Sequence, residues 1–282
     1  MKILIVGGTS ALAQALKPVL ATFAEVMTAG RSVCDVYLDL SALGSDFRLP
    51  EGIDVVINVA AHFGGTDADS IIEAAEVNVL GTLKLCRACV LASVQHFISI
   101  SSTSAFLDET SDYFGIYALS KRQSEEAVQL FCSSLRMPCT ILRPSQLYGN
   151  DEGFRRHQPF LYAALDRAQK NEDILIYGSQ NALRNYLHVD DFCRVMSQVV
   201  INRIGGLYVC TSPVDVSFSR VAYSAIKAFR SSSKIVFVKE MKPISDNVFP
   251  YDESLYSKTG CFPQMSLDDG LKQIAAHRLS HL

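Results

Sequence analysis

The feature that most constrains this chain is a short apolar run at its start that ends in glycines and leads directly into a helical pattern. Lys2–Val6 is followed by Gly7 and Gly8, and apolar residues then recur at helical spacing between Ser10 and Leu16. A strand, a glycine turn and a helix in this order open the folds in which helices cover both faces of a parallel sheet. We therefore expect a buried parallel strand to begin at residue 2.

Strand and helix patterns continue to alternate through the first half of the chain. Apolar runs typical of buried parallel strands and longer segments with helical spacing follow one another at 54–59, 69–92, 96–100, 117–135 and 139–142. Such alternation gives parallel strands joined by helical crossovers. The predicted fold class is therefore α/β, with a Rossmann-type doubly wound parallel sheet.

The pattern loosens after Tyr148, where polar stretches separate shorter strands from helices. We place a main sheet domain at residues 1–145 and a smaller, loop-rich region at residues 146–282, with some later segments returning to the main sheet. Within the main domain we expect Pro18 to kink or end the first helix, because proline lacks a backbone N–H and clashes with the preceding turn.

Composition excludes several classes of protein. The chain has 282 residues, of which 49% are hydrophobic, and a formal net charge of −3. The apolar fraction is ample for a packed core, which excludes a disordered chain. A near-neutral charge leaves no electrostatic footprint for nucleic acid or an anionic membrane, and no apolar run reaches the roughly 18 residues of a membrane span. We expect a protein that binds neither.

The cysteines favour a reducing compartment. The apolar run before the first glycine is too short for a signal peptide, so we expect a cytoplasmic protein with reduced thiols. Cys86 and Cys89 have C-x-x-C spacing, but they lie within a helical pattern, and no second pair or nearby histidine completes a zinc set. We expect these thiols to pack in the core, with metal or redox use as the alternative, and we expect no metal site.

The glycine turn has the arrangement of a dinucleotide site. Gly7 stands where the first glycine of such a turn belongs, and Ser10 and Ala13 stand three and six residues further on. The backbone of the turn and the free N–H groups of the following helix would approach the pyrophosphate. The cofactor contacts predicted here are Gly7, Thr9, Ser10, Ala11 and Leu12. An ordinary β–α turn is the alternative.

The end of the second strand bears on the choice of cofactor. NAD-selective sites usually place an acid there for the ribose 2′-hydroxyl, whereas this chain has Arg31. A guanidinium pairs well with a 2′-phosphate, which favours NADP over NAD; the alternative is an exposed turn arginine. Asp39 and Leu40, just beyond, would receive the adenine edge or form a solvated turn.

The next part of the sequence contains hydroxyl, phenol and amine groups that together could transfer a proton. Ser99-Ile100-Ser101-Ser102-Thr103 closes an apolar strand, and the carboxyl end of a parallel strand opens where such sheets bind ligands. Tyr117 and Lys121 then share one helix face at i and i+4. A neighbouring ammonium favours the phenolate and makes the pair a tuned proton donor and acceptor.

A second Tyr-x-x-x-Lys in the sequence shows that this spacing alone does not identify a catalytic pair. Tyr223 and Lys227 have the same separation, but no serine-bearing strand precedes them. We interpret this copy as a helix with an inward tyrosine and an exposed lysine.

Several motifs in this order resemble those of the extended short-chain dehydrogenases/reductases, which include nucleotide-sugar epimerases, dehydratases and reductases. The resemblance spans nearly the whole chain. Its motifs are Asn58-Val59-Ala60-Ala61, Asn78-Val79-Leu80-Gly81-Thr82, the serine pair Ser101-Ser102, Tyr117 with Lys121, Leu142-Arg143-Pro144 followed by Tyr148-Gly149, and the segment from Arg184 to Asp191.

The resemblance implies roles for the matching residues. Residues 1–145 would bind NAD(P), with further contacts from Val59, Ala60, Ala61, Asn78, Tyr117, Lys121 and Pro144. Ser102 would bond the reacting sugar oxygen, Tyr117 would pass its proton, and Lys121 would hold the nicotinamide ribose. Residues 146–282 would bind a nucleotide sugar. Ser102, Thr103 and Arg184 would contact it, with Arg184 on the diphosphate; the alternative for Arg184 is a surface arginine. A homodimer is the family's expected state.

Departures from the family pattern narrow the reaction. Dehydratases carry an acidic pair directly after the active-site serine or threonine, where this chain has Thr103 and Ser104. The altered glycine turn and Arg31 favour an enzyme that exchanges its cofactor. The leading hypothesis is an NADP-dependent reductase of a 4-keto nucleotide sugar at C4. The alternatives are a nucleotide-sugar C4 epimerase that retains NAD(P), and a non-catalytic NADP-binding sensor or scaffold.

Overall fold

The computed structural model describes residues 1–44 and 47–280, which divide into two compact units. The first unit contains Met1–Pro144, Cys193–Val209 and Ser254–Cys261. The second contains Ser145–Phe192, Cys210–Glu253 and the C-terminal segment from Phe262.

The strands in the described part of the chain are β1 (Lys2–Val6), β2 (Glu25–Gly30), β3 (Val36–Tyr37), β4 (Val55–Asn58), β5 (His96–Ile100), β6 (Cys139–Pro144), β7 (Gln146–Tyr148), β8 (Ile174–Tyr177), β9 (Leu183–Arg184), β10 (Tyr186–His188), β11 (Gly206–Cys210), β12 (Val216–Ser217) and β13 (Ile235–Val238). The α-helices are α1 (Ala11–Leu20), α2 (Ala68–Ala75), α3 (Thr82–Leu91), α4 (Ile116–Ser134), α5 (Pro159–Gln169), α6 (Val189–Asn202), α7 (Phe218–Phe229), α8 (Ser254–Thr259) and α9 (Leu267–Leu279). Short 3₁₀ turns occupy Thr103–Phe106 and Glu152–Phe154, and a π-helical stretch occupies Glu76–Gly81.

A seven-stranded sheet with the order β11-β6-β5-β4-β1-β2-β3 organises the first unit. The pairs from β3 through β1 and β4 to β6 are all parallel. The chain order reverses between β1 and β4, and ligands of open α/β sheets bind at the carboxyl ends of the strands where this happens. The predicted Rossmann-type fold class is confirmed, and Gly7 and Val59 leave the sheet at this reversal.

Continuous burial of the central strands explains their apolar sequences. Ile3, Leu4, Ile5, Val56 and Ile57 are each 0% exposed. Strands buried on both faces read as unbroken apolar runs, because helices cover both sides of the sheet. Cys86 and Cys89 are buried in the core cluster between this sheet and its helices, as the helical pattern predicted.

Two predictions about helices in the first unit are made more precise by the structure. Helix α1 contains Pro18 and continues to Leu20, so the proline does not end the helix, and a kink at this point stays a prediction. The single helix predicted at 69–92 is α2 and α3 joined by the π-helical stretch Glu76–Gly81. A π stretch adds residues to a turn without breaking the helix, so helical periodicity in the sequence does not reveal it.

The second unit combines short sheets with packed helices. β7 pairs with β10, β8 with β13 and β9 with β12. Phe160 of α5 stacks on Phe218 of α7, with ring centroids 4.0 Å apart. Tyr223, predicted to point inward, is 54% exposed, because Val221, Ala222 and Ala225 form the buried face of α7. Across the described residues of both units, no helix combines the length and apolarity that a bilayer crossing requires.

The turn after β1 generates a stability prediction. Gly7 has φ +88°, and a Cβ there would lie 2.7 Å from the backbone nitrogen of Ala60. Gly7→Ala should therefore lower the free energy of unfolding in urea by about 1–3 kcal/mol through backbone strain and an added steric clash. The matched control is Gly52→Ala, where φ is +73° but no atom lies within 4 Å. Equal losses in the two variants would contradict the close approach.

Candidate active site

The turn after β1 is shaped by close backbone approach. The N–H groups of Gly7 and Gly8 both donate to the carbonyl of Ala29, at 2.8 and 3.0 Å. The space where a side chain of residue 7 would lie is filled by Ala60, which follows β4. The turn therefore leaves the N-terminus of α1 at the reversal of the sheet, which suits an anionic group.

Ser10 and Ala13 fit where glycines were expected. The hydroxyl of Ser10 caps α1 by accepting from the N–H of Ala13 at 3.2 Å. Serine is a preferred N-cap, so this substitution stabilises the helix start. Ala13 is 0% exposed, and its small side chain allows the helix to pack closely. The predicted contacts Thr9, Ala11 and Leu12 lie in this turn and the first turn of α1, and none of the three is buried.

Arg31 and Asp35 share the loop after β2. Arg31 is exposed, which fits both a ligand contact and the alternative of an exposed turn arginine, so its contact with a 2′-phosphate stays a prediction. The Asp35 carboxylate accepts from the N–H and hydroxyl of Thr28, at 2.7 and 2.8 Å. These hydrogen bonds hold the pKa of Asp35 below its ordinary value. Asp35 is thus an acid that follows β2, but its carboxylate is engaged by Thr28 and stabilises the loop.

The predicted adenine contacts lie next to β3. The Asp39 carboxylate accepts from the N–H and hydroxyl of Ser41, at 3.0 and 2.7 Å, which is the geometry of a local Asx turn. Leu40 is 5% exposed and belongs to the core cluster. Asp39 is half-buried, so of these two side chains it is the more accessible to a ligand.

The segment after β4 is fixed by two asparagines. Asn58 accepts from the N–H of Ala60 at 3.2 Å, and it shapes the half-buried run Val59-Ala60-Ala61. Asn78 lies in the π-helical stretch and is 3% exposed. Its amide accepts from the N–H of His62 at 2.8 Å and donates to the His62 carbonyl at 2.7 Å. The structure thus places Asn78 on the backbone of this segment, and a cofactor contact for it stays a prediction.

Tyr117, Ser102 and Lys121 come together at the carboxyl end of β5. Burial raises the pKa of Tyr117 to about 12, against the smaller effect of a hydrogen bond with the Ser102 side chain. The expectation that the neighbouring ammonium lowers this pKa is therefore wrong for the protein without a bound cofactor, because the effect of burial is larger. The Lys121 Nζ donates to the Ile100 carbonyl at 2.8 Å and lies 5.8 Å from the centre of the Tyr117 ring. Burial lowers the pKa of Lys121 to about 8, and the negative charge of Glu125 opposes this shift.

Ser102 begins the turn that follows β5. Its hydroxyl accepts from the N–H of Ser104 at 3.0 Å and donates to the Ser104 hydroxyl at 3.1 Å. Thr103, predicted to contact the substrate, is 3% exposed, whereas Ser104 is half-buried. Pro144, predicted to contact the cofactor, is buried at the end of β6.

Sequence reasoning missed Glu125 and named Arg143 only as part of a motif, without a role in the site. The Arg143 Nε donates to both oxygens of Glu125, at 2.9 and 3.1 Å, and its guanidinium lies 4.3 Å from the centre of the Phe106 ring. Glu125 is 3% exposed and stands one helical turn beyond Lys121. The i, i+4, i+8 spacing of Tyr117, Lys121 and Glu125 was a signal that could have revealed it.

Arg184 belongs to the second unit. It is 6% exposed, which excludes the alternative of a surface arginine. Its guanidinium donates to the carbonyls of Leu183 and Ser245 at 2.7 and 2.8 Å, and it lies 4.8 Å from the centre of the Phe218 ring. These contacts fix the orientation of the guanidinium, and a diphosphate contact for it stays a prediction.

The arrangement in the first unit can carry a proton and hold a dinucleotide. A phenol that is protonated at neutral pH lies beside a hydroxyl and an ammonium, at the edge of the sheet where the glycine turn also ends. The close approach at Gly7 and the capped N-terminus of α1 fit a nicotinamide dinucleotide. Among the described residues, no cluster of His, Cys, Asp and Glu could hold a metal ion.

These features define an enzyme of the nicotinamide-dependent short-chain dehydrogenase/reductase class. The sequence model of the NAD dependent epimerase/dehydratase family matches residues 3–210, and the chain belongs to that family. The resemblance inferred from the sequence motifs is thereby confirmed.

Curated relatives are distant but extend over most of the chain. A low-salt glycan biosynthesis protein of Haloferax volcanii is 24% identical over 234 residues, which cover 78% of this chain and 73% of that protein. The dTDP-D-glucose 4,6-dehydratase of Mus musculus is 26% identical over 244 residues, which cover 79% of this chain and 67% of that protein.

Solved structures show the same fold at low identity. A UDP-glucuronic acid 4-epimerase from Bacillus cereus, in complex with UDP-glucuronic acid and NAD, has a TM-score of 0.80 and 17% identity, with 100% of both chains covered. RMD from Pseudomonas aeruginosa, complexed with NADPH, has a TM-score of 0.79 and 18% identity, with 100% of this chain and 99% of that chain covered.

The charge arrangement around Lys121 generates a pH prediction. With a pKa of about 8, the Lys121 amine is cationic below that pH and neutral above it. Glu125→Gln removes the carboxylate that favours the cation and leaves the positive charge of Arg143. The pKa of the Lys121 amine should therefore fall. NMR titration of protein labelled with ¹³C-lysine measures this pKa as the midpoint of the titration curve, and Lys121→Arg assigns the resonance.

The control for this titration is Glu126→Gln, which changes an exposed carboxylate on the next residue of α4. It should leave the midpoint of Lys121 unchanged. Circular dichroism checks that each variant is folded. A Glu125→Gln variant that is folded and has the native midpoint would refute the electrostatic role of Glu125.

Proposed function

We propose that this protein is an NADP-dependent reductase that reduces a 4-keto nucleotide sugar at C4, with Tyr117 as the proton donor. The observation that carries the proposal is the grouping of Ser102, Tyr117 and Lys121 at the carboxyl end of β5, where Thr103 and Ser104 take the place of an acidic pair. A tyrosine in this position is protonated at neutral pH and can donate the proton that a reduction needs.

Each residue of the proposed site would have a separate role in this reaction. Ser102 and Tyr117 would hydrogen-bond the carbonyl oxygen, and Tyr117 would transfer its proton to the oxygen as the C4–H bond forms. Lys121, cationic below about pH 8, would stabilise the negative charge left on the Tyr117 oxygen. When bound, the nicotinamide supplies the hydride. Gly7, the N-terminus of α1 and Arg31 would hold the dinucleotide, with Arg31 on the 2′-phosphate.

The turn after β5 supports reduction rather than dehydration. Removal of water from the sugar needs an acid and a base beside the active-site hydroxyl, and this chain has Thr103 and Ser104 there. Hydroxyl groups do not ionise near neutral pH, so they cannot replace a carboxylate pair. At these two positions the chain therefore has no carboxyl pair that would compete with simple protonation of the carbonyl oxygen.

The comparisons support a nucleotide sugar as the substrate. The mouse relative is named for a dTDP-sugar, and the Bacillus cereus structure contains a UDP-sugar. In this chain, Arg184 is the residue proposed to bind the substrate diphosphate, because its guanidinium is held in a fixed orientation. Residues 146–282 are proposed to form the substrate-binding region.

A C4 epimerase that retains NAD(P) is the second candidate, favoured by the fold shared with a 4-epimerase at a TM-score of 0.80. A non-catalytic NADP sensor is the third, and the close grouping of Ser102, Tyr117 and Lys121 counts against it.

We also propose a cytoplasmic homodimer packed through the helices of 71–92 and 117–135. Exposed apolar side chains on these helices support that surface, namely Ile72, Leu80, Leu91 and Leu130.

The decisive experiment follows NADPH absorbance during incubation with a 4-keto nucleotide sugar. A reductase consumes NADPH in stoichiometric amounts. Tyr117→Phe should lower kcat by about 10²- to 10⁴-fold, because the proton donor is lost. The matched control is Tyr223→Phe, which alters the exposed tyrosine of the other Tyr-x-x-x-Lys and should leave kcat unchanged.

Other outcomes of this experiment select the other candidates. Conversion of nucleotide sugar without net NADPH consumption would identify an epimerase and end the reductase proposal. NADPH binding that survives Tyr117→Phe, with no turnover in either protein, would identify a sensor.

The preference for NADP is tested at Arg31. Arg31→Ala should weaken NADPH binding by about tenfold or more and leave NADH binding nearly unchanged, because a charge-assisted pair contributes about 1.5–3 kcal/mol. Isothermal titration calorimetry measures both affinities. Arg156→Ala, which removes an exposed arginine of the second unit, is the control. Equal changes for the two cofactors would show that Arg31 does not contact the 2′-phosphate.

A further inference from the structure

An aromatic side chain outside the recognised motifs lies directly on the proton donor. Phe63 follows β4, and its ring stacks on the Tyr117 ring with centroids 4.7 Å apart and planes 16° from parallel. Nearly parallel rings at this separation are offset, which is a favoured geometry for aromatic pairs. The stack therefore restrains the orientation of the Tyr117 ring.

The backbone before Phe63 is fixed to the same helix that carries Tyr117. Asn78 holds both the N–H and the carbonyl of His62, at 2.8 and 2.7 Å. The same amide donates to the Ser120 hydroxyl at 2.9 Å, and that hydroxyl donates to the Tyr117 carbonyl at 3.1 Å. A continuous chain of hydrogen bonds thus ties the residue before Phe63 to the first turn of α4.

The backbone after Phe63 is fixed by close packing. The N–H of Gly64 donates to the His62 ring nitrogen Nδ1 at 3.1 Å. A Cβ at Gly64 would lie 2.2 Å from Cγ2 of Ile116, the residue before Tyr117. Glycine is needed here because Ile116 fills the space of a side chain. Both neighbours of Phe63 are therefore held against the start of α4, and the phenyl ring has a fixed support.

We propose that Phe63 is a positioning residue that holds the Tyr117 phenol in its proton-donating orientation and keeps water from one face of its ring. The inference rests on the proposed role of Tyr117. Lys121 approaches the same ring, with its Nζ 5.8 Å from the ring centre. Phe63 supplies the apolar surroundings that favour the neutral phenol, and Lys121 supplies the charge that favours the phenolate. Burial has the larger effect on the pKa of Tyr117, and the hydrogen bond with Ser102 opposes it.

The effect on acidity is measurable without substrate or cofactor. The ring of protein labelled with ¹³C-tyrosine reports ionisation of each hydroxyl by NMR, and Tyr117→Phe assigns the resonance. At about pH 10, where an exposed tyrosine is half ionised, Tyr117 of the native chain should remain protonated. Phe63→Ala should admit water to the ring and ionise Tyr117 at lower pH. Phe63→Tyr, which keeps the stack, should restore the native behaviour.

The effect on turnover separates positioning from general packing. Phe63→Ala should lower kcat for NADPH oxidation by about 10- to 100-fold, as expected for a misplaced reacting group, with KM changed less than kcat. Phe63→Leu keeps an apolar side chain without the ring and serves if the alanine variant does not fold. Phe23→Ala is the control, since it removes a half-buried phenyl ring after the end of α1, outside the proposed cofactor and substrate contacts.

The outcomes distinguish this inference from the proposed function. A folded Phe63→Ala or Phe63→Leu variant in which Tyr117 ionises as in the native chain overturns the positioning role. Absence of turnover in the native chain, together with a lowered midpoint in Phe63→Ala, would refute the reductase and leave the positioning of Tyr117 intact.

Discussion

The site depends on one buried charge, the ammonium of Lys121. An enclosed ammonium is costly unless hydrogen bonds and opposite charge compensate it. Here the Ile100 carbonyl accepts from it at 2.8 Å, and Glu125 supplies the negative charge. Glu125 is in turn bonded by both oxygens to Arg143. This compensation requires that the end of β5, helix α4 and the end of β6 are all correctly positioned. The site therefore assembles only when the sheet has folded.

This requirement explains why the groups of the site come from separate parts of the sequence. Ile100 and Arg143 lie on neighbouring parallel strands, β5 and β6, whose carboxyl ends share one edge of the sheet. Helix α4 connects the two strands and carries Tyr117, Lys121 and Glu125 on one face. A crossover helix packed on its own strands can hold a side chain within tenths of an ångström, which loops rarely achieve.

The strongly periodic segments were predictable from the sequence, and the features that depend on local packing were not. β1, β5 and α4 followed from apolar patterns, and their predicted ends lie within a residue or two of the structure. Pro18 does not end α1, because the helix continues for two residues beyond it. The inward placement of Tyr223 was wrong because one face of α7 is filled by smaller side chains. The stack of Phe63 on Tyr117 joins residues far apart in the chain, so no local pattern could reveal it.

The π-helical stretch between α2 and α3 has a consequence for how this chain tolerates change. Each residue added to or removed from a helix turns all later side chains by about 100°. Asn78 reaches both the His62 backbone and Ser120 only from its present angular position. A deletion within Glu76–Gly81 would convert the π-helical stretch to a regular helix and rotate α2 relative to α3. The irregular helix therefore preserves the contacts of Asn78.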